Sequence, residues 1–148
     1  MSGDDPQRPW SFDEITVKLP GLLERAEQMI IDLRALGDTA TRKKWAYEKA
    51  KATAMLHVVA QEAESGIRSN KELREAKAVL FIHKDHPGRS RETGEVTKSD
   101  KSTAQLGYEA DLADRAYQDQ KSAIRSLDSE ISVMQSMMVS ARNAMVTR

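Results

Sequence analysis

An apolar stripe with alternating spacings of three and four residues runs through the C-terminal part of the chain. It consists of Ala110, Ala113, Tyr117, Gln120, Ile124, Leu127, Ile131, Met134, Met138, Ala141 and Met145. This spacing is typical of a heptad seam, in which one narrow face of a helix meets a partner helix along its whole length. An ideal straight helix drifts away from a strict seven-residue repeat, so the pattern predicts a left-handed supercoil.

The length of this helix favours self-association. If residues 102–145 form one helix, it is about 65 Å long at about 1.5 Å per residue. A compact domain of this size has a radius of gyration of only about 15 Å, so the helix should extend beyond any globule. Its stripe then needs cover from another helix, either of this chain or of a second copy, and we predict a second copy. The expected interface consists of Tyr117, Gln120, Ile124, Leu127, Ile131, Met134 and Met138.

Composition favours helices and excludes several classes of site. The 148 residues are 39% hydrophobic, 5% aromatic and 31% charged, which suits long helices better than a sheet or a thick core. Cysteine is absent, which excludes disulfides, thiolate metal sites and cysteine catalysis. No run of about 18 apolar residues could span a membrane. The first ten residues lack the pattern of a secretory signal, so we expect a soluble cytoplasmic protein without membrane contact.

Capping and breaking residues predict a series of separate helices after a flexible tail at residues 1–10. Ser11 and Glu14 match a capping box. Pro20-Gly21 should stop or bend the first helix, and Gly37 should end the second. The next helix should run to Ser65, with Gly66 as its left-handed terminator. The expected buried seam of that helix is Trp45, Lys49, Ala52, Leu56, Val59 and Ala63.

The segment between residues 69 and 105 predicts a short helix, a loop and the start of the last helix. Ser69 and Glu72 form a second capping box for a helix to about Lys84, and Ser102 and Gln105 form a third. Residues 86–100 contain two glycines, a proline and Val96 as the single large aliphatic residue. Such a segment cannot bury enough apolar surface to become ordered, so a mobile loop is expected at about 86–101. Residues 11–148 should otherwise form a single helical domain.

Charge is balanced globally but not locally. The 23 basic and 23 acidic residues cancel, so no overall field marks a nucleic-acid binder. Basic residues spaced by seven on one helix and by three on the next could nevertheless follow a phosphate backbone. The candidate nucleic-acid contacts are Arg42, Lys43, Lys44, Lys49, Lys51, Lys71, Arg74 and Lys77. Trp45, Tyr47 and Phe81 could stack on unpaired bases. The alternative is that these charges are ordinary solvated faces and that Trp45 is a core residue.

Other polar clusters carry less information. His83, Asp85 and His86 lie close together, but zinc needs three or four convergent ligands and Pro87 interrupts the geometry. We interpret these histidines as helix-end residues, and we expect no metal and no cofactor. The P-loop, dinucleotide-binding and nucleophile-elbow patterns are absent, and no catalytic residues can be named, so no enzymatic activity is expected.

The order of these parts resembles a known family. A basic helix with Lys43-Lys44 ends at Ser65-Gly66, a helix with KELREAKAVLFIHKD follows, and after a linker comes a long helix with SAIRSLDSEISVMQSM. Over roughly residues 40–140 this resembles the phage recombination mediators of the UvsY family. The resemblance implies a phage-encoded, ring-like homo-oligomer that binds single-stranded DNA and helps load a recombinase by displacing the single-strand binding protein.

The basic residues that the family uses are matched only in part. Lys43-Lys44 corresponds to a basic pair of the family, but Val58 and Ala60 stand where a second pair is expected before the Ser-Gly helix end. Lys49 and Lys51 would have to substitute for that pair. We therefore predict an all-α helical hairpin or bundle with one long C-terminal heptad-like helix, homo-oligomeric and binding single-stranded DNA as a recombination mediator. The alternative is a structural or adaptor protein that acts through coiled-coil contacts without binding nucleic acid.

Overall fold

The protein is predominantly helical, with a long C-terminal helix as predicted. The computed structural model describes residues 11–89 and 96–146, so the predicted flexible tail at 1–10 lies outside the described residues. The elements are α1 (Phe12–Ser65), α2 (Lys71–Leu80), β1 (Ile82–Arg89), β2 (Val96–Ser102) and α3 (Thr103–Val146). None of the helices in the described ranges combines the length and the apolar character needed to cross a membrane.

Helix α1 begins as predicted but does not break where predicted. Ser11 N–H donates to Glu14 Oε2 at 3.1 Å and Glu14 N–H donates to Ser11 Oγ at 3.2 Å, which completes the capping box. The helix then continues through Pro20 and Gly37 to Ser65. The three predicted helices are therefore one. A proline in a helix interior costs about 3 kcal/mol, but burial of one large aliphatic side chain contributes about 1.5–3 kcal/mol. Ile15 and Leu19 are buried before Pro20, and Leu22 and Met29 pack against the same cluster after it.

The described residues form two compact units, which are considered separately. The first contains the residues up to Ala35 and those from Tyr117 onward, and the second contains Leu36–Ala116. Helices α1 and α3 each contribute a segment to both units. That residues 11–148 fold as a single domain stays a prediction.

In the first unit, the C-terminal stripe packs on α1 of the same chain. Leu127, Ile131 and Met134 are buried in one cluster with Ile15, Leu19 and Ala26 of α1, and Leu22, Met29, Met137 and Met138 pack against it. The expectation that these residues of α3 contact a second copy is therefore corrected. The sequence shows that the stripe needs a covering helix, but the chain before Gly66 is predicted to form three short helices. The segment of α1 in this unit is continuous through Pro20 and covers the stripe.

The hydrogen bond of Gln120 also indicates that the stripe packs within one chain. This seam residue was expected to fix register against a second copy, but its Nε2 donates to the Met29 carbonyl of the same chain at 3.1 Å. Met29 lies near the end of the α1 segment in this unit and Gln120 lies near the start of the α3 segment, so the two segments run antiparallel. Tyr117, Ile124 and Met138 are half-buried on the same face of α3. Register is thus set within the chain.

In the second unit, α1 buries the face opposite to the one predicted. Ala50, Ala54 and Val58 are buried, whereas the predicted seam residues Trp45 and Leu56 are exposed. Both rows have helical spacing, so periodicity alone could not choose between them. The buried row has the smaller side chains because α3 approaches closely: a Cβ on Gly107 would lie 2.9 Å from Tyr47 Cε2.

The ends of the next helix differ slightly from the prediction. Gly66 has φ 70°, which confirms it as the left-handed terminator of α1. Asn70, not Ser69, caps α2, because Asn70 Oδ1 accepts from Leu73 N–H at 2.8 Å. The helix also ends at Leu80, before the predicted Lys84.

A β-hairpin occupies the region that was expected to be a mobile loop. Strands β1 and β2 pair antiparallel from Ile82↔Ser102 to Arg89↔Val96, with an irregularity between His83 and His86. The expectation of a loop is corrected for the described residues of this segment. The two strands show little apolar alternation in the sequence. Backbone hydrogen bonds, which any residue except proline can donate, hold the pair, so the pairing left no side-chain pattern to recognise. Ser102 then caps α3 as predicted, accepting from Gln105 N–H at 3.1 Å.

Candidate nucleic-acid interface

The basic residues of α1 form two rows on different sides of the helix. Successive residues of an α-helix are rotated by about 100°, so Arg42 and Lys49 lie together on one flank and Lys44 and Lys51 lie together on the other. All four are exposed and all belong to the second unit. The spacing of seven therefore places the members of each pair together, as predicted, but it does not gather the four residues on one face.

Lys43, which lies between the rows, points towards α3. Its Nζ is 3.5 Å from Glu109 Oε2, while Lys101 Nζ donates to Glu109 Oε1 at 2.8 Å. Burial alone would raise the pKa of Glu109, but the Lys101 hydrogen bond and the charges of Lys101 and Lys43 outweigh it, so the pKa lies below its usual value. Lys43 thus has a structural carboxylate partner, unlike the role in phosphate binding that was predicted for it.

Trp45 is exposed between the basic residues and is not a core residue. Its exposed fraction is 74%, so the alternative that it anchors the core is wrong. It lies one helical turn from both Arg42 and Lys49, which places an indole ring beside two cations on the outer surface of α1. An aromatic face flanked by positive charge is the arrangement that binds unpaired bases and their phosphates.

The other two aromatic candidates are engaged within the fold. Tyr47 is half-buried against Gly107, and Lys51 Nζ lies 5.8 Å from the centre of its ring. Phe81 stacks on His57 with ring centroids 4.9 Å apart and meets His83 edge-on at 5.0 Å. Of the three predicted stacking residues, Trp45 alone presents its ring to solvent.

Helix α2 contributes two exposed lysines and one arginine with a structural role. Arg74 Nε donates to Glu62 Oε2 at 2.8 Å, and Glu62 is buried on α1. The other Glu62 oxygen accepts from the backbone N–H and the hydroxyl of Ser69. Lys71 is exposed and 4.0 Å from Glu75, and Lys77 is exposed. Arg74 therefore joins α2 to α1, and sequence reasoning missed this because the contact depends on the turn at Gly66.

Of the histidine cluster, the structure describes the side chain of His83, whereas the side chains of Asp85 and His86 lie outside the described residues. His83 Nε2 is 2.8 Å from Thr103 Oγ1, and Thr103 N–H donates to the Phe81 carbonyl at 3.0 Å. No group of three or more potential ligands converges among the residues that the structure describes. His83 therefore helps join the hairpin to α3, whereas the sequence suggested a helix-end role.

Comparison with known proteins gives no neighbour. No family model matches the chain, and neither a curated protein nor a solved structure matches it.

Proposed function

We propose that the protein is a non-enzymatic, intracellular single-stranded DNA-binding protein that also forms a homo-oligomer. The observation that supports this proposal is the exposed ring of Trp45 beside Arg42 and Lys49. In this proposal the ring stacks on a base while the two cations neutralise flanking phosphates. Lys44 and Lys51 on the other flank, with Lys71 and Lys77, would contact more distant phosphates.

Fluorescence of Trp45 tests the proposal directly. The chain has two tryptophans, so a Trp10→Phe background leaves Trp45 as the single indole. Titration with oligo-dT at low salt should quench its emission. Trp45→Ala should weaken binding by roughly 5- to 150-fold, because stacking contributes about 1–3 kcal/mol per base; this variant is followed by mobility shift. Arg42→Gln should also weaken binding, whereas Arg34→Gln, a matched exposed position of α1 outside the site, should not.

The absence of any mobility change with micromolar wild-type protein at low salt would contradict the proposal. Equal binding by wild type and Trp45→Ala would show that the strand lies elsewhere on the protein.

The resemblance to the UvsY family supports a finer proposal, that the protein is a recombination mediator encoded by a phage. Such a protein would interact with a recombinase and with a single-strand binding protein. It should shorten the lag before a recombinase filament forms on DNA that is already covered by single-strand binding protein. An unchanged lag, with DNA binding intact, would reject the mediator role alone.

A structural or adaptor role without nucleic acid is the second candidate. The observation that favours it is the apolar surface that α1 leaves exposed, including Leu56 at 72%. Because Lys43 and Arg74 have carboxylate partners, the set of cations available for phosphate is also smaller than predicted. The adaptor predicts self-association without any binding of oligo-dT.

A further inference from the structure

The outer surface of α1 in the second unit carries a second apolar row. This row, called here the outer stripe, consists of Trp45, Lys49, Ala52, Leu56, Val59 and Ala63. It lies opposite the buried row that contains Ala50 and Ala54, and its large members are exposed. A contiguous exposed apolar row of this kind marks an interaction surface, whereas single exposed apolar residues need no explanation.

The spacing of the outer stripe is the same when read from either end. Its successive gaps are four, three, four, three and four residues. Two copies that run antiparallel about a two-fold axis would therefore place every stripe position against another stripe position.

The residue sizes fit this symmetric pairing. Trp45 would lie opposite Ala63 and Leu56 opposite Ala52, so each large side chain meets a small one, as knobs meet holes in packed helices. Lys49 would lie opposite Val59, where its aliphatic stem can cover the valine while its ammonium group reaches water.

The charges beside the stripe also fit. With about 100° of rotation per residue, Arg42 lies about 60° and Glu64 about 100° to the same side of the stripe. A two-fold axis perpendicular to two antiparallel helices keeps equivalent flanks together. Arg42 of one copy would therefore lie beside Glu64 of the other, and symmetry creates this pair twice.

We propose that the outer stripe binds the outer stripe of a second copy of this chain, forming an antiparallel two-fold pair. This inference rests on the self-association included in the proposed function and names its surface. Because Trp45 belongs to both surfaces, the pair and a bound DNA strand exclude each other. The pair is therefore the form in which the proposed DNA site is covered.

Sedimentation velocity of the full chain over a range of concentrations tests the pairing. Wild type should shift from one to two chains as concentration rises, and Leu56→Asp should remain a single chain. Val17→Asp, at an exposed position of α1 outside the stripe, should associate like wild type. Helicity by circular dichroism should be unchanged in both variants because both side chains are largely exposed. Wild-type association in Leu56→Asp overturns the inference, as does a single chain at every wild-type concentration.

A charge exchange tests the register. Arg42→Glu and Glu64→Arg should each weaken the pair by roughly 5-fold, because each opposes like charges at two symmetric places. The double variant should return to within about twofold of wild type. Failure of the double variant to recover overturns the antiparallel arrangement.

Binding of oligo-dT separates this inference from the proposed function. Leu56→Asp keeps Trp45 and its cations, so it should bind the oligonucleotide at least as tightly as wild type. If association follows the expected pattern but no variant binds oligo-dT, the DNA proposal alone fails. If oligo-dT binds but Leu56→Asp associates like wild type, the pairing alone fails.

Discussion

Lys43, Glu62 and Glu109 are charged residues at positions of α1 and α3 that face other elements of the second unit. Each has an opposite charge within reach: Glu62 contacts Arg74 at 2.8 Å, and Glu109 contacts both Lys43 and Lys101. Glu62 is buried, so removing Arg74 would leave its charge without compensation and would cost more than the pair contributes. These residues therefore specify which elements meet.

The Glu109 cluster should make stability depend on pH. The pKa of Glu109 is lowered in the folded state, so its carboxylate stabilises the fold above its unfolded pKa, and this contribution is lost as pH falls through the folded pKa. Urea denaturation at a series of pH values should show wild type more stable than Glu109→Gln at neutral pH. The difference in stability between the two proteins should shrink as the pH falls below 4.5, the usual pKa of a glutamate. A difference that is constant down to pH 2 would contradict this account.

Two helical glycines should respond in opposite ways to alanine. Alanine at Gly21 would meet nothing within 4 Å, so helix propensity should stabilise the protein by about 0.5–1 kcal/mol. Alanine at Gly107 would press on the Tyr47 ring, and overpacking costs about 1–3 kcal/mol, which should exceed the propensity gain. Thermal melts of the two variants provide the measurement. A higher melting temperature for Gly107→Ala would show that Tyr47 moves without cost.

At the scale of elements, α1 shows how packing overrides local signals. Pro20 and Gly37 are both residues that end helices in isolation, yet α1 passes through both. The cores on the buried face of α1 provide enough apolar burial to keep the helix continuous. At Gly66 no such burial opposes the local signal, and the chain turns there with a positive φ. A local helix-breaking residue therefore ends the helix only where tertiary packing does not oppose it.

The long helix α3 should respond to charge according to which face carries it. Leu127 is buried against α1, so Leu127→Asp should destabilise the protein by several kcal/mol. Val133 is 58% exposed on the same helix, so Val133→Asp should stay within about 0.5 kcal/mol of wild type. Chemical denaturation measures both. If Leu127→Asp leaves the midpoint unchanged, the packing of α3 on α1 within one chain is wrong.

At the scale of the whole molecule, net charge zero limits how the protein can bind DNA. Without an overall field, affinity depends on local phosphate contacts, and each contributes about −0.7 to the log–log salt slope on single strands. The four exposed cations of the proposed site on α1, Arg42, Lys44, Lys49 and Lys51, predict a slope of about −3, and Lys71 and Lys77 extend it to about −4. Titrations of oligo-dT at several salt concentrations measure this slope. A value near −6 would mean that Lys43 and Arg74 leave their carboxylate partners, and a value near zero would contradict phosphate contacts altogether.

The helical class, the heptad register of α3, the capping box at Ser11 and the turn at Gly66 are all predicted from the residues alone. These features depend on periodicity and on local backbone chemistry, which are properties of short segments. Three features became known only from the folded chain: which element covers the stripe of α3, which face of α1 is buried, and that residues 82–89 pair with 96–102. These features depend on contacts between residues far apart in the chain. An apolar stripe shows that a helix face must be buried, but it does not show which element buries it. Trp45 shows this limit most clearly. The row that contains Trp45 and the row that contains Ala50 both have helical spacing, so periodicity could not choose between them. The close approach of α3 at Gly107 to Tyr47 lies on the side of the alanines, which are the buried row.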